Sequence, residues 1–408
     1  MKTKKLSTLI IAALFGLTEY GFAQESILAS AIKKNKEKSA ESATTPVTPV
    51  EAGVEEVKEE EEKTFTLSGS VDAYFHTSFG SDTYAPATSF ANLNGFGLGM
   101  VNLIGSYSGE KVGFTADLVF GPRGKDAVFA NQYTSQSIIN QLFVYYKVSD
   151  VVTFNIGQFN TFLGYEVISP TVNFHYSTSY MFSYGPFNHT GLRADFAFKN
   201  GMVAKLAIMN PTDLVEFNPV NTYTLGGQIG YANDAGGIWF NVLAGDQDGT
   251  LEKYDLDEDG YSEGSTFQAD ITTGWNLSDK FYLGANATYR TVAKGEQFVG
   301  DVIESVDEPT KGFLGFALYP KVSISESFAL GVRAEYFAVQ KGYIEPIGLD
   351  DSGDGSVIDI TLSANYKVGG LTIIPEFRID SSSENSFLKD TSYSKSLSTF
   401  TLAAVYKF

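Results

Sequence analysis

Three histidines, His76, His175 and His189, are the only imidazoles of this 408-residue chain, which has no cysteine. Without Cys there is neither a disulfide framework nor a thiolate metal site. None of the three His lies beside a Ser or acid motif that would orient it as the base for a nucleophile, so no enzyme is expected. One stretch resembles a cation loop. Asp255-Leu-Asp257-Glu-Asp259-Gly260-Tyr-Ser-Glu263 puts carboxylates at positions 1, 3, 5 and 9 and Gly at position 6 of a calcium loop. Position 12 is Thr266 rather than Glu and no flanking helices are expected, so calcium there competes with a merely acidic loop. The formal charge of −19, from 29 Lys+Arg against 48 Asp+Glu, argues against a nucleic-acid partner, whose phosphates call for basic surface.

The remaining ionisable residues can do electrostatic chemistry, and their spacing says where. Arg193 and Asp195, Arg333 and Glu335, and Glu376, Arg378 and Asp380 stand two apart, with apolar residues between them. Arg290, Asn286, Asp270, Asp359, Asp117 and Asp72 fall in similar company. Period-two alternation of charge and grease is a strand with one wet face and one apolar face.

That texture begins abruptly at Thr64 and recurs in sixteen segments up to Phe408. Their connections alternate. Tight turns such as Gly109-Glu110, Ser149-Asp150, Ser278-Asp279 and Gly369-Gly370 carry hairpin chemistry, and long segments lie between them. Strict alternation puts all turns at one end and all long loops at the other. An even-stranded meander of this form is the pattern of an all-β, up-and-down transmembrane barrel, with strands of the roughly ten residues a tilted membrane strand needs. A soluble sandwich or propeller is disfavoured, because the apolar face continues around every strand.

The N-terminus fits that destination. Residues 1–23 read as a cleaved signal peptide, with a Lys-rich start, an apolar run over 6–17, and Gly21 and Ala23 before a cut at Gln24. Residues 24–63, rich in Ala, Glu and Lys and free of aromatics, read as a flexible periplasmic tether. Residues 64–408 are the expected barrel. In SLSTFTLAAVYKF, residues Phe400, Leu402, Ala404, Tyr406 and Phe408 share one face. An alternating last strand ending in Tyr406-x-Phe408 resembles the signal that hands Gram-negative outer-membrane proteins to the barrel-assembly machinery. If Phe408 faces lipid, the charges named above face inward. Arg or Lys at the midplane of the lipid face would cost about 2–4 kcal/mol each, so a wet lumen is expected, too wide at sixteen strands for side chains to fill.

Residues 137–200 carry a family resemblance. A strand ending Gly157-Gln158-Phe159 precedes Leu163-Gly164-Tyr165-Glu166, an Asn-Phe-x-Tyr-Ser segment at 173–177, Gly185-Pro186 and His189-Thr190-Gly191. This succession resembles the β-barrel porin-2, or OmpL-like, family. The resemblance implies a Gram-negative outer-membrane porin and brings no catalytic residue or cofactor with it.

The third long loop, 161–188, is the longest at 28 residues and exceeds the roughly 12–15 residues usual for an unstructured connection. Its Tyr165, Tyr176, Tyr180, Phe182 and Phe187 want cover. The expectation is that it folds into the lumen and forms a constriction, with Glu166, Tyr165 and Tyr176 facing Arg193, Arg290, Arg333 and Arg378 of the wall across water, so that a transverse field orders polar solutes. Packing over the rim or against a neighbouring subunit is the alternative. The expected function is passive diffusion of small hydrophilic solutes through an outer-membrane porin. The alternatives are a substrate-selective channel, for sugars for example, or a surface-binding barrel with a blocked lumen. Partners are then outer-membrane lipid, the assembly machinery and, by analogy of fold, two further copies in a homotrimer.

Overall fold

The protein is described by a computed structural model over residues 64–79, 90–128, 138–251, 260–306 and 310–408. The expected signal peptide and tether, together with Asp255, Asp257 and Asp259, lie outside those residues. The alternating segments form strands β1 (Thr64–Phe79), β2 (Gly95–Ser108), β3 (Val112–Phe120), β4 (Ile139–Lys147), β5 (Val152–Asn160), β6 (Asn188–Ala197), β7 (Met202–Met209) and β8 (Thr224–Asn233). The second half contributes β9 (Gly236–Gly245), β10 (Thr266–Asn276), β11 (Phe281–Val292), β12 (Lys311–Ser323), β13 (Phe328–Gln340), β14 (Gly355–Val368), β15 (Leu371–Ser382) and β16 (Ser396–Lys407). Each pairs antiparallel with its sequence neighbours, and β1 pairs with β16 from Ser70 opposite Lys407 to Phe79 opposite Ser398, closing a sixteen-stranded barrel. Gly69 and Phe408 extend that seam by exchanging backbone hydrogen bonds of 3.1 and 3.0 Å.

The faces sort as the alternation demands. Arg333, Glu335, Asp359, Glu376, Arg378 and Asp380 are buried, while Leu98, Leu142, Leu206, Phe316, Ile360 and Leu402 are exposed to the outside. An exposed apolar belt around a closed sheet is stable against hydrocarbon, and closure leaves no unpaired edge. No helix among the described residues is long and apolar enough to cross a membrane.

At the short-turn end the hairpins are tight: Val148 and Ser149 both donate to the carbonyl of Val152, and Leu277 and Ser278 to that of Phe281. At the other end the long connections carry structure that alternation alone does not reveal. A helical turn α1 (Pro122–Ala127) follows β3, a single turn α2 (Tyr180–Ser183) lies between β5 and β6, and two small hairpins rise after β11 (Glu296–Val299 with Val302–Ser305) and β15 (Phe387–Lys389 with Ser392–Ser394).

Four apolar clusters occupy the inside of the described barrel, and each contains residues of the segment between β5 and β6. Tyr180 and Met181 pack with Phe313, Phe337 and Val357; Ile168 and Phe187 with Phe90, Met100 and Val119; Phe162 and Leu163 with Phe143, Phe159 and Met209; Tyr176 with Tyr74 and Ile374. The loop aromatics therefore find cover against inward side chains of the wall.

Candidate functional site

The segment leaves β5 at Asn160, meets the wall at Phe162, whose carbonyl accepts from Gln228 at 3.3 Å, and again at Gly164, whose backbone N–H donates to Asp270 of β10 at 3.0 Å. Its φ of +85° is a left-handed conformation that suits glycine. Asp270 also accepts from Asn241 and Asn286, so the carboxylate is fixed before the loop arrives.

Beyond Glu166 the backbone is held by charged side chains. The N–H groups of Tyr176 and Ser177 donate to the two oxygens of Glu376 at 2.8 and 3.1 Å. That of Ser179 donates to Glu166 at 2.7 Å, and those of Tyr180 and Met181 to the two oxygens of Glu335 at 2.8 and 2.7 Å. The carbonyls of Ser177 and Thr178 accept from Arg333 at 2.7 Å and Arg378 at 2.8 Å. A buried loop must satisfy its backbone polar groups, and here carboxyl and guanidinium side chains do so, all but Glu166 from the wall. Between the loop and the wall, Arg333 pairs with Glu166 at 2.9 Å and with Asp359 at 2.8 Å, and Arg378 pairs with Asp380 at 2.8 Å and Asp359 at 3.4 Å. Buried ion pairs are stable only when every charge keeps its partner, so the cluster resists removal of any member.

The wall also makes room. A Cβ added at Gly284 would collide with the ring of Tyr165, at Gly315 with Met181, and at Gly331 with Phe174. All three glycines occupy the inward register of β11, β12 and β13, where a side chain would keep the loop off the sheet.

The anticipated charge partners are therefore only partly brought together. Glu166, Arg333 and Arg378 share one cluster, but Glu166 and Arg333 touch directly and are buried instead of facing each other across water. The glycine cradle lets the loop approach that closely, and desolvated charges then require contact. Arg193 is elsewhere. It forks onto Asp195 with two bonds of 2.9 Å, alongside Lys205, with its guanidinium 4.4 Å from the ring of Phe159. Arg290 donates to Gln268 at 3.3 Å and lies 5.7 Å from the ring of Tyr343. Tyr165 stacks on Tyr319 with centroids 4.0 Å apart and shares a hydroxyl contact of 2.9 Å with Tyr282. Tyr176 donates its hydroxyl to Asp72 at 2.5 Å.

Arg123 of α1 escaped the sequence reading. Buried, it donates to the carbonyls of Ile168 and Tyr176 at 3.0 and 3.2 Å and stands 4.6 Å from the ring of Phe90. A Gly-Pro-Arg-Gly string in an outer connection gives no periodic signal that its cation turns inward.

His175 meets Ser363 at 2.8 Å, and Ser363 donates to Glu376 at 2.8 Å. The carboxylate thus sits on the serine, whereas a hydrolytic triad places it on the imidazole. His76 and His189 contact Thr401 and Thr161. Glu263 donates its backbone N–H to Asp248 at 2.6 Å, and burial beside Asp246 and Glu263 pushes the Asp248 carboxyl up to about 7. Among the described residues no cluster of three metal-ligating side chains occurs. Below the segment's C-terminal end, Asp213 accepts the N–H groups of Phe187 and Asn188 at 3.0 and 2.7 Å, and desolvation raises its carboxyl to about 7. Tyr406 and Phe408 are exposed on the outer face.

A family model described as beta-barrel porin-2, OmpL-like, matches residues 64–408. No curated protein matches the chain. Among solved structures, OmpF of Salmonella typhi in complex with daunomycin superposes with a TM-score of 0.56 at 12% identity, over 85% of this chain and 98% of that one. The outer-membrane channel DcaP of Acinetobacter baumannii gives 0.54 at 15% identity, over 85% and 97%. In-vitro folded OmpT of Vibrio cholerae, in its trimer form, gives 0.54 at 11% identity, over 85% and 100%. At such identities these likenesses speak to the fold.

Proposed function

The chain belongs to the β-barrel porin-2, OmpL-like family of outer-membrane porins, and on that premise we propose that segment 161–187 is its constriction. A porin of this kind is a passive, water-filled channel for small hydrophilic solutes. The observation that carries the constriction is the ladder of wall ions on the loop backbone, with Glu376, Glu335, Arg333 and Arg378 all engaged by residues 176–181. Tyr176 and Tyr180, both 0% exposed, are packed against the wall and narrow the lumen by bulk rather than by contact with a solute. In this reading Glu166 and Arg333 close one side of the eyelet and Tyr165 lines it.

The test is single-channel conductance in planar bilayers. With residues 167–182 replaced by a short Gly-Ser linker, conductance should rise several-fold while the barrel stays heat-modifiable. An unchanged conductance in a folded variant would place the loop outside the conduction path. The same reading includes export with cleavage before Gln24, checked by N-terminal sequencing of the mature protein. It includes delivery through the barrel-assembly machinery of a Gram-negative envelope, and a homotrimer, checked by the mass of the detergent complex. Calcium at Asp255, Asp257, Asp259 and Glu263 is a separable proposal, tested by calcium titration against Asp257→Asn.

A further inference from the structure

On the turn side of the segment lies a cavity of about 1160 Å³, roofed by residues 165–166 and 170–175 and floored by the turns around Ser278, Ser325 and Gly369. Its polar lining is unlike the rest of this acidic chain. Lys280, Lys321, Lys367 and Lys407 all border it. Lys321, Lys367 and Lys407 stand in the inward register of their strands two residues beyond the buried Tyr319, Asn365 and Val405, and Lys280 lies in the turn that leads into β11, two residues before the buried Tyr282. Strand pleat therefore aims three ammonium groups, from β12, β14 and β16, at one space, and Lys280 borders it from the turn before β11. Three carboxylates share the lining. Glu166 is already bound to Arg333, and Asp279 and Glu326 lie on exposed turns. Lys321 is stationed on the aromatic roof, 4.6 Å from the ring of Tyr282 and 6.0 Å from that of Phe174.

We propose that this vestibule is an anion-binding site for small solutes carrying two or more carboxylate or phosphate charges. It builds on the pore reading, as the last chamber a solute crosses before the turn side. A single exposed ammonium holds a monovalent anion weakly, because water screens the pair. Several ammonium groups around one chamber raise the local concentration of a polyanion, and clefts lined by one sign of charge focus that field. The outer loops carry the opposite sign at Glu304, Glu345, Asp350 and Asp351, so the field reverses along the barrel axis.

The experiment is calorimetric titration of citrate into the full chain folded in detergent at low salt, which needs no conduction and so separates this site from the constriction. Saturable binding is expected, weakened by added salt and at least tenfold tighter than for acetate. The triple variant Lys280→Gln, Lys367→Gln, Lys407→Gln should lose at least tenfold in affinity, and Lys389→Gln on an outer hairpin should lose none. Absence of saturable citrate binding, acetate binding as tight as citrate, or a folded triple variant with undiminished affinity would each overturn the proposal.

Discussion

Replacing Arg333 with Met keeps most of the side-chain stem and removes the guanidinium that joins loop to wall. Three of its bonds go to the segment, to Glu166 at 2.9 Å, to the Ser177 carbonyl at 2.7 Å and to the Ser177 hydroxyl at 3.3 Å. A hydrogen bond to a charged group contributes about 1.5–3 kcal/mol. Losing the two shorter ones alone should weaken the docked loop by roughly 3–6 kcal/mol, and at about 1.4 kcal/mol per decade the undocked population rises roughly 10²- to 10⁴-fold. The wall loses the Arg333 bonds to Asp359 and Thr361, while Asp359 keeps Arg378 at 3.4 Å. Limited chymotrypsin digestion of the detergent-folded barrel reads this directly, since cleavage at Phe174, Tyr176, Tyr180 and Phe182 requires undocking. When reclosing is fast, its rate follows the open population. Arg333→Lys should fall between the two, retaining charge without the fork. A heat-modifiable Arg333→Met barrel cleaved at the native rate would refute the latch.

A pH dependence should come from Asp213. Its carboxyl titrates near 7 when folded against an ordinary 3.8, so its stabilising contribution is complete below about 3.8 and lost as pH rises through 7. Protection of the Phe187–Asn188 end should drop between pH 5 and 8.5, and Asp213→Asn should flatten that drop, Asn being tolerated at its φ of +63°. A slope that persists in Asp213→Asn assigns the effect elsewhere. Gly331→Leu, which fills the space of the Phe174 ring, should release the loop as Arg333→Met does, with faster digestion as the readout; unaltered protection would mean that the cradle is dispensable. Phe408→Asp should lower the amount of folded barrel in the outer membrane at least severalfold, and native levels there would end the assembly-signal reading.

The barrel was legible because alternation is a dense signal: each of the sixteen strands repeats it, and the parity of Tyr406 and Phe408 sorts Arg333, Asp359 and Arg378 inward without further information. That the loop's aromatics need cover could be argued from composition, yet the way its backbone is held could not. Glu335 and Glu376 read as inward charges, but their role is to bind backbone N–H groups, which leave no trace in side-chain patterns. Gly284, Gly315 and Gly331 look like interruptions of strands and become a cradle only when the Tyr165, Met181 and Phe174 side chains are opposite them. Arg193 and Arg290 share the parity of Arg333, and parity fixes the face without fixing height or azimuth around a barrel.

The seam between β1 and β16 has a kinetic implication. It joins Ser70 to Lys407 and Phe79 to Ser398, whereas every other pairing in the wall links strands that are adjacent in sequence. Fifteen ladders can zip between strands that follow one another in sequence, while the sixteenth must bring together partners more than 300 residues apart. Until it does, β1 and β16 present two open edges to any strand nearby, a surface prone to mispairing. Closure is therefore the step that turns a sticky ribbon into an inert tube, and assistance during biogenesis would be most valuable at that one joint.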